Sequence, residues 1–519
     1  MVALGVRLWG LGFGLPFANA RPDETGFAGP AVNFLSGDLR PPYFMYPTFL
    51  MYVLALLYVL YWALTRPFTG YATLAAFAES RRQSLVPFFY LSRGFSAVMG
   101  TLTVWWIYDL SRRVFDDTVA IVAALFLALS FLHVRDSHFG VTDVTMAALI
   151  VVTVREIVRW QQTGDPWRAA AAGLAGGLAT STKYNGLGVW VPFAVATIQQ
   201  GIETRSTFRT GWRRLALGAA IFGAVFVFAF LAASPYIAID WPRFLRDVTE
   251  QRSIFIQGQG MAGTRGWWHH ARVTLPAALG WPIYLSGAIG AAWLLATRLR
   301  QAAVVLAFPL AYYIVAGSGY TVFARYMMPI LPFLCLTAAW LVVTVVRASV
   351  PASAPAMRRV AIAGVALLAV APSALKVVQI DRLLARTDNR VIVAEALAAL
   401  IPPGSTVYHT GEGYGHVYWA PELGLHEWRY DEPSGTFGDG ARVPQWIVLQ
   451  RSPLIHYSRI PATVERLVRD RYELVRAFPV TADGSDRLYD QQDAFFLPLV
   501  GLAGIERPGP SFEIYRLVS

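Results

Sequence analysis

Long apolar runs separated by short polar connections fill the first three quarters of the chain. A membrane-spanning helix needs about 20 predominantly apolar residues. Runs near that length cover residues 2–17, 43–64, 86–110, 118–134, 142–160, 168–182, 186–200, 213–233, 276–297, 302–317, 327–346 and 359–378. This pattern predicts a polytopic α-helical membrane protein.

The pattern changes after Val378, where charges, prolines and glycines return and no run is long enough to cross a membrane. Helix-type and strand-type periodicities then alternate, which is typical of an α/β domain. They cover residues 389–400 (helix), 405–409 (strand), 446–450 (strand), 462–471 (helix) and 472–478 (strand). We therefore divide the chain into a transmembrane domain, residues 1–378, and a soluble α/β domain, residues 379–519.

Glycines cluster in residues 410–416, after the first strand of the α/β domain. A phosphate-binding loop would require a helix directly after them. No convincing helical pattern follows, so we interpret this segment as a turn.

Composition supports the membrane assignment, because 55% of the 519 residues are hydrophobic and only 15% are charged. The net charge of +11 comes almost entirely from arginines. They cluster between apolar runs, which is the pattern that orients membrane helices, so no nucleic-acid partner is expected. The single cysteine, Cys335, leaves no intrachain disulfide and no cysteine-based metal site.

The arginine clusters predict which side of the membrane each connection faces, because short cytoplasmic connections are enriched in arginine and lysine. The clusters are Arg112/Arg113, Arg155/Arg159/Arg168, Arg205/Arg209/Arg213/Arg214, Arg298/Arg300 and Arg347/Arg358/Arg359. The other connections, which include residues 133–143, 183–185, 235–275 and 317–325, then face outward with the C-terminal domain. The expected location is the cell (inner) membrane, with multiple passes and an extracytoplasmic site.

The run at 43–64 breaks this alternation, because a full crossing there would place Asp23 and Asp143 on opposite sides. We interpret this aromatic-rich run as interfacial or re-entrant. That leaves about 11 transmembrane helices, with the amino end inside. A twelfth crossing stays open, because it would place Arg66, Arg81 and Arg82 inside.

Three outward connections carry the residues with catalytic chemistry: Arg-Pro-Asp-Glu at 21–24, Arg-Asp-Ser-His at 135–138 followed by Asp143, and Lys-Tyr-Asn at 183–185. A carboxylate screened from bulk water at a membrane surface can accept a proton from an attacking hydroxyl. Cations stabilise negative charge on a leaving phosphate. Arg93, Lys183 and Arg325 are placed for that role.

Structural roles remain open for several of these residues. Asp23 and Glu24 would favour the start of a surface helix at 25–35. Asp136 and Asp143 would do the same for the run that follows them. Lys183 would equally extend along apolar surface toward water.

The histidines give a weak signal for a metal. The spacing of His133, His138 and Asp143 does not place them on one helical face, so a divalent metal is left open and no cofactor is assigned. His269 and His270 follow two tryptophans and are either ligands or interfacial anchors.

The first apolar run has two further interpretations. It ends in Ala18-Asn19-Ala20, which resembles a signal-peptidase site, and cleavage there would make Arg21 the new amino terminus. It is short and contains Arg7, which costs about 2.5–3.5 kcal/mol within a span. A start codon placed too late would also explain the short run.

A series of short motifs occurs in a characteristic order. They are Leu-Trp-Gly-Leu-Gly-Phe-Gly-Leu at 8–15, Arg-Pro-Asp-Glu at 21–24, Ser-Gly-Asp-Leu at 36–39, Tyr-Pro at 46–47, Ser-Arg-Gly-Phe-Ser-Ala at 92–97, Arg-Asp-Ser-His-Phe at 135–139 with Thr-Asp at 142–143, Thr-Lys-Tyr-Asn-Gly at 182–186, Ser-Pro-Tyr at 234–236, and Arg-Tyr at 325–326 with Pro329 and Pro332. This order resembles the membrane glycosyltransferases of fold type C. The most similar group is the one that includes protein O-mannosyltransferases and bacterial aminoarabinose transferases (glycosyltransferase family thirty-nine-like), and the resemblance covers most of residues 1–378.

The resemblance implies an inverting transfer of a hexosyl or pentosyl group. The donor would be a polyprenyl-phosphate sugar, and the acceptor a hydroxyl of a glycan, lipid or protein at the outer face of the membrane. Asp23 matches the presumed general base and Asp143 the second acid, which positions donor or acceptor; Glu24 is a further catalytic candidate. Arg21 stands where the family often has histidine, which puts a metal ligand there in doubt. The phosphate-binding candidates are Lys183, Arg325, Tyr326 and Arg93, and the other candidates are Asp136, His138, Tyr46, His269 and His270.

Two other functions stay open. A transporter or flippase of lipid-linked or sugar substrates is disfavoured, because we find no internal repeat and the carboxylates lie at helix ends rather than at the bilayer midplane. An oligosaccharide ligase with a diphosphate-linked donor differs in glycan length and phosphate count. The short catalytic loops favour a single-sugar donor.

Overall fold

The computed structural model describes residues 1–81, 84–203, 208–258, 263–411, 413–438, 440, 442–481 and 487–518. The chain folds into two compact units. The membrane unit contains Met1–Leu8 and Gly26–Val378, and the C-terminal unit contains Trp9–Thr25 and Gln379–Ser519. Residues 9–25, which the sequence analysis placed in the transmembrane domain, thus cluster with the C-terminal residues.

The segment 9–25 has a packing reason for this placement. Gly10 has a φ of +92° and lies against Leu384, where an added Cβ would be 2.7 Å from the leucine Cβ. The ring of Phe13 contacts the ring of Phe495 edge-on at 6.1 Å. Both contacts bind the segment to C-terminal residues.

The helices before the soluble region, in chain order, are α1 (Val2–Leu8), α2 (Glu24–Asn33), α3 (Phe49–Thr69), α4 (Leu74–Arg81), α5 (Val86–Val114), α6 (Asp117–Ala128), α7 (Phe131–Asp136), α8 (Thr142–Thr163), α9 (Pro166–Thr182), α10 (Trp190–Glu203), α11 (Phe208–Ala233), α12 (Tyr236–Ile239), α13 (Trp241–Gln257), α14 (Gly266–His269), α15 (Leu275–Leu279), α16 (Trp281–Thr297), α17 (Leu299–Ala316), α18 (Leu331–Ser349) and α19 (Pro355–Leu384). The turns at Tyr184–Val189 and Ala324–Ile330 are 3₁₀-helical. The predicted α-helical class is confirmed.

Five helical stretches in the described part of the chain are long and apolar enough to cross a membrane: Phe49–Thr69, Gly211–Ala233, Leu299–Ala316, Ala324–Ser349 and Pro355–Leu400. A sixth is added if the pair Gly266–Leu279 and Trp281–Thr297, bent by 119°, is one span. The expected count of 11 crossings and the sidedness stay predictions.

One apolar run differs from its predicted conformation. The helix expected over 2–17 is wrong, because α1 ends at Leu8 and turns follow. Gly10 and Gly14 have φ values of +92° and +69°, which a right-handed helix does not contain. Most of the run at 43–64 lies in the continuous 21-residue helix α3 (Phe49–Thr69), which follows a loop. By length and composition α3 is able to span a membrane, and both the interfacial interpretation and the twelfth crossing stay predictions.

Small residues allow the membrane helices to pack closely. An added Cβ on Gly173 of α9 would lie 2.5 Å from the Phe222 carbonyl oxygen of α11. One on Gly287 of α16 would lie 2.8 Å from the Leu334 carbonyl oxygen of α18. The Thr337 hydroxyl of α18 also donates a 2.9 Å hydrogen bond to the Gly287 carbonyl. Such contacts are typical of helix pairs in membranes, where association depends on close packing.

The C-terminal unit contains a mixed five-stranded sheet with the order β2-β1-β5-β7-β6. Strand β1 pairs in parallel with β2 and β5, whereas β7 pairs antiparallel with β5 and β6. The strands are β1 (Thr406–His409), β2 (His426–Glu427), β3 (Tyr430–Asp431), β4 (Thr436–Phe437), β5 (Trp446–Arg451), β6 (Tyr472–Phe478) and β7 (Ser511–Leu517), of which β3 and β4 form a separate hairpin.

Two helices accompany this sheet, α20 (Asn389–Leu400) and α21 (Ala462–Arg471). The Asp388 carboxylate caps α20 by accepting the Arg390 backbone N–H at 2.9 Å. The predicted α/β class is confirmed. The glycine segment forms a turn with one 3₁₀ turn, Gly413–Gly415, as expected; Glu412 lies outside the described residues.

Candidate functional site

A cavity of about 230 Å³ lies beside Lys183 in the membrane unit. Four segments that are distant in sequence form its wall: the loop before α3, the connection from α9 to α10, one face of α13, and residues around the end of α17 and Tyr326. Its polar lining includes Tyr46, Lys183, Asn185, Gln251, Arg252 and Tyr326. Two cations thus line a cavity that also has aromatic and apolar walls.

Lys183 is held by a buried ion pair. Its Nζ donates to the Asp143 Oδ1 at 2.7 Å, and the two side chains are 11% and 4% exposed. Asp143 lies in the first turn of α8, and Lys183 directly follows the last residue of α9. The negative charge therefore lies at a helix N-terminus and the positive charge at a helix C-terminus, and each interacts favourably with the helix dipole.

The local sequence turns Lys183 away from α9. Its backbone is extended, with φ −155° and ψ 132°, while its N–H still donates to the Ala179 carbonyl. The 3₁₀ turn that follows packs back on α9 at Gly186, where an added Cβ would lie 2.5 Å from the Ala179 carbonyl carbon. Only glycine fits there, so the motif 182–186 fixes where the lysine side chain lies.

Two tyrosine rings flank the lysine ammonium group. Nζ lies 5.8 Å from the ring centroid of Tyr46 and 5.1 Å from that of Tyr326. Such cation–π contacts contribute about 0.5–1 kcal/mol each at accessible sites. The structure therefore brings together four of the residues predicted from sequence: Tyr46, Asp143, Lys183 and Tyr326.

The loop that carries Tyr46 is fixed from two sides. The Tyr184 hydroxyl donates to the Phe44 carbonyl at 2.9 Å, and the Phe44 N–H donates to the Asp247 Oδ2 at 2.8 Å. Burial, together with the Asp247 carboxylate, raises the pKa of the Tyr184 phenol, so this donor keeps its proton. The loop thus connects the lysine segment to α13.

A buried hydroxyl network holds the end of the same loop. The Thr48 backbone N–H donates to the Ser234 Oγ at 3.0 Å, and the Ser234 and Ser181 hydroxyl oxygens lie 2.6 Å apart. All three residues are fully buried. Ser181 precedes Lys183 by two residues, so this network fixes α9, α11 and the loop at one point.

Sequence reasoning missed Arg252 and Gln251, which line the cavity from α13. The segment 235–275 was interpreted only as an outward connection, whereas residues 241–257 form a helix. The signal was present in the spacing of Val248, Gln251, Arg252 and Phe255. These positions follow i, i+3, i+4 and i+7, which places them on one helical face.

Arg325 and Arg93 do not line the cavity. Arg325 is 6% exposed and its guanidinium lies 4.1 Å from the ring centroid of Phe323. Arg93 is fully buried in α5, with its guanidinium 5.6 Å from the Phe89 ring centroid. Arg325 does precede the cavity residue Tyr326, so its motif reaches the site.

A second buried ion pair comes from the motif at 135–138. The Arg135 Nε donates to the Asp136 Oδ1 at 2.7 Å, and both side chains are 1% exposed. His138 is buried as well, with its Nδ1 2.9 Å from the Val134 carbonyl oxygen. Neither Asp136 nor His138 lines the cavity, so the motif contributes to the packing of the region before α8.

Asp23 and Glu24 belong to the C-terminal unit. Asp23 has a φ of +73° and is the one non-glycine residue with positive φ in the described ranges. Residues held in this region are often found at functional sites. Glu24 starts α2 and is 1% exposed. Arg21, in the same motif, forms a buried 2.5 Å ion pair with Asp493.

His269 and His270 do not line the cavity either. His270 is buried, with its Nδ1 3.0 Å from the Thr274 hydroxyl oxygen. Among the residues that the structure describes, no three His, Cys, Asp or Glu side chains lie close enough to hold a metal ion.

The helical membrane unit, the α/β unit and the order of the motifs define the class of the protein. It has the fold of the type-C membrane glycosyltransferases, and the resemblance inferred from the sequence is confirmed at the level of the fold. Residues 91–232 also match the family described as dolichyl-phosphate-mannose-protein mannosyltransferase.

Three solved structures are similar to this chain. Apo ArnT from Cupriavidus metallidurans is 16% identical, with 99% of this chain and 96% of ArnT covered and a TM-score of 0.52. ArnT bound to undecaprenyl phosphate is 17% identical, with 82% and 84% covered and a TM-score of 0.50. The oligosaccharyltransferase AglB from Archaeoglobus fulgidus, in complex with an inhibitory peptide and a dolichol-phosphate, is 13% identical, with 82% and 63% covered and a TM-score of 0.50. None of the curated proteins matches the chain.

Proposed function

We propose that this protein is an inverting glycosyltransferase that moves a hexosyl or pentosyl group from a polyprenyl-phosphate carrier to an acceptor hydroxyl. The observation that carries the proposal is the cavity lined by Lys183 and Arg252. It joins two cations to apolar walls, which is the combination that a lipid-linked phosphate requires. ArnT bound to undecaprenyl phosphate and AglB bound to a dolichol-phosphate support the same ligand class.

In this proposal, the donor phosphate binds at the Lys183 ammonium group, with Arg252 at the rim. The phosphate oxygens would share the lysine with the Asp143 carboxylate, which keeps the ammonium group in place. The side chains of Val248, Phe255 and Val315, which also line the cavity, would contact the prenyl chain. Arg325 and Arg93 remain candidates for shaping the electrostatic field of the site.

The proposed reaction is a single displacement at the anomeric carbon. Asp23 accepts the proton of the acceptor hydroxyl, whose oxygen forms the new glycosidic bond. The bond from the anomeric carbon to the phosphate oxygen breaks, and the lysine and arginine stabilise the charge of the leaving polyprenyl phosphate. One attack without a covalent intermediate inverts the anomeric configuration.

We assign this reaction to the outer face of the cell (inner) membrane. The support is the distribution of arginines along the sequence, which favours cytoplasmic connections elsewhere and leaves the loops with Asp23, Asp143 and Lys183 outside. The acceptor is a hydroxyl of a glycan, lipid or protein.

The test is reconstitution of the purified protein with a panel of polyprenyl-phosphate sugars, using wild type, Asp23→Asn and Asp38→Asn. Asp38 is exposed, its carboxylate accepts the Arg40 backbone N–H, and it serves as the matched control. We expect release of polyprenyl phosphate to fall about 10³-fold in Asp23→Asn and to stay near wild type in Asp38→Asn.

Full release by Asp23→Asn would contradict the assignment of the base. If no donor in a broad panel turned over and labelled substrate instead crossed the liposome membrane, the transporter interpretation would replace the proposed function.

A further inference from the structure

One long stretch of the membrane unit lacks negative charge. Between Gln251 and Ile380, the sequence contains no aspartate and no glutamate in 130 residues. The same stretch contains nine arginines and one lysine: Arg252, Arg265, Arg272, Arg298, Arg300, Arg325, Arg347, Arg358, Arg359 and Lys376. Negative charge from elsewhere in the chain or from a ligand would stabilise those of these cations that lie at a membrane surface.

For Arg347, the balancing charge comes from another part of the chain. Its guanidinium forms a two-pronged contact with the Asp116 carboxylate, at 2.6 and 3.2 Å. Arginines outside the acid-free stretch follow the same pattern, since Arg155 and Arg159 both donate to Glu156. Charge matching by carboxylates is therefore common in the membrane unit.

Arg298 differs from these arginines. It forms no ion pair with any carboxylate in the described residues, and its guanidinium instead lies 5.9 Å from the ring centroid of the buried Trp340. Arg298 is the single residue that separates α16 from α17, and its N–H donates to the Leu294 carbonyl at 2.7 Å. Arg298 is exposed, and the Trp340 ring restricts its guanidinium on one side.

An open depression of about 440 Å³ lies directly at this break. It is lined by Thr297, Arg298, Leu299, Arg300 and Gln301. Two arginines within three residues thus face a volume large enough for a phosphate-containing headgroup.

The surroundings of the depression are apolar and exposed. Leu299 is 62% exposed and Trp293, one turn earlier on α16, is 42% exposed. Helix α17 is long and apolar enough to cross a membrane, and α16 belongs to the bent pair with the same property. A tight turn between two such helices lies at a membrane surface, where tryptophan and arginine are typical neighbours of lipid headgroups.

We propose that the depression at Arg298 and Arg300 is a binding site for an anionic phospholipid headgroup, separate from the cavity at Lys183. The phosphate would lie on the Arg298 guanidinium, which Trp340 restricts on one side, and the acyl chains would lie along Trp293 and Leu299. A preformed cation requires less ordering on binding than a mobile side chain, so it favours a resident lipid over transient contacts. The site does not depend on the proposed glycosyl transfer.

The test is lipid retention by the purified protein, measured by native mass spectrometry after exchange into nanodiscs that contain phosphatidylglycerol in phosphatidylcholine. The variants are Arg298→Gln and Arg359→Gln. Arg359 is an exposed arginine of the same acid-free stretch outside the depression, so the two variants lose the same net charge.

We expect Arg298→Gln to retain phosphatidylglycerol about fivefold more weakly, the effect of one interfacial arginine, and Arg359→Gln to resemble wild type. Equal retention by both variants would overturn the proposal. Full displacement of the lipid by inorganic phosphate would overturn the assignment to a phospholipid. Unfolding temperature in pure phosphatidylcholine serves as the folding check. If Arg298→Gln fails it, Arg300→Gln, which also removes one charge from the depression, replaces it with the same expected loss.

Discussion

Two of the buried ion pairs among the described residues of the membrane unit are equal in length and very different in surroundings. Lys183 and Asp143 are 2.7 Å apart, as are Arg135 and Asp136. The first pair joins the start of α8 to the residue after α9, 40 positions apart, and places its lysine at a cavity. The second joins neighbouring residues and is enclosed.

The difference indicates that a buried ion pair is a candidate for ligand binding when one of its charges also lines a cavity. When an ion pair is buried, both charged groups lose hydration free energy. A buried ion pair is therefore weak evidence that the protein is stabilised there. The enclosed pair lies at the end of α7, outside the cavity lining, and we interpret it as part of the packing between α7 and α8. The pair at the cavity keeps a cation ready for an anion that arrives later, and it belongs to the proposed site.

The largest expected effect concerns the enclosed pair. Arg135→Gln leaves the Asp136 carboxylate buried without this partner, which costs about 3–5 kcal/mol of stability. We expect a marked fall in the unfolding temperature in detergent, with recovery in Arg135→Gln/Asp136→Asn. Donor affinity of the folded fraction is expected to stay at the wild-type value; a lowered affinity would show that both pairs serve the site.

The next effect concerns the pair at the cavity. Lys183→Gln removes the cation that faces the leaving phosphate, and we expect kcat/KM for polyprenyl-phosphate sugar hydrolysis or transfer to fall about 10²-fold. Lys183→Arg, which keeps the charge, is the control and is expected to recover part of the activity. Wild-type kcat/KM in Lys183→Gln would remove the basis for distinguishing the two pairs.

A smaller effect is expected for Arg252, the cation at the cavity rim. It is exposed, so its interaction with a phosphate is screened by salt. We expect Arg252→Gln to raise KM for the donor about fivefold at low salt and to change kcat little. The control is Arg246→Gln, because Arg246 is an exposed arginine of the same helix that does not line the cavity. An equal rise in KM in both variants would assign the effect to net charge alone.

The smallest effect tests the aromatic rings beside Lys183. Replacing Tyr326 by leucine keeps the apolar volume but removes a cation–π contact, and we expect donor affinity to fall about threefold. Tyr326→Phe retains the ring and is expected to bind like wild type. Titration of a fluorescent polyprenyl phosphate would measure both, and equal losses in the two variants would indicate that the hydroxyl rather than the ring matters.

Much of the fold could be predicted because the spacing of apolar residues indicates the type of element and which of its faces is buried. The helix at 389–400 occurs where the pattern placed it, and its apolar positions Val393 and Leu397 are buried. The strand at 472–478 also occurs where it was predicted, although only its end residues Tyr472 and Phe478 are buried. The helix predicted over 2–17 failed because glycines at 10 and 14 adopt positive φ, which hydrophobicity does not report.

The candidate site was only partly predictable. Lys183 and Asp143 were identified from chemistry at helix ends, but Asp136 has the same chemistry and is enclosed by its neighbours. The sequence alone does not show whether a charged side chain lies beside a cavity or against an adjacent side chain. Arg252 was missed because its segment was treated as a connection, although its helical spacing with Val248 and Phe255 was visible in the sequence.

The central claim is that the cavity at Lys183 binds the phosphate of a polyprenyl carrier. The most direct test is the affinity of undecaprenyl phosphate for wild type and for two double variants in nanodiscs, Asp143→Asn/Lys183→Gln and Arg135→Gln/Asp136→Asn. Each variant removes one buried pair while keeping the net charge unchanged. We predict that the first weakens binding about 10²-fold and that the second stays near wild type. Equal affinity in all three proteins, or a larger loss in the second variant, would contradict the account.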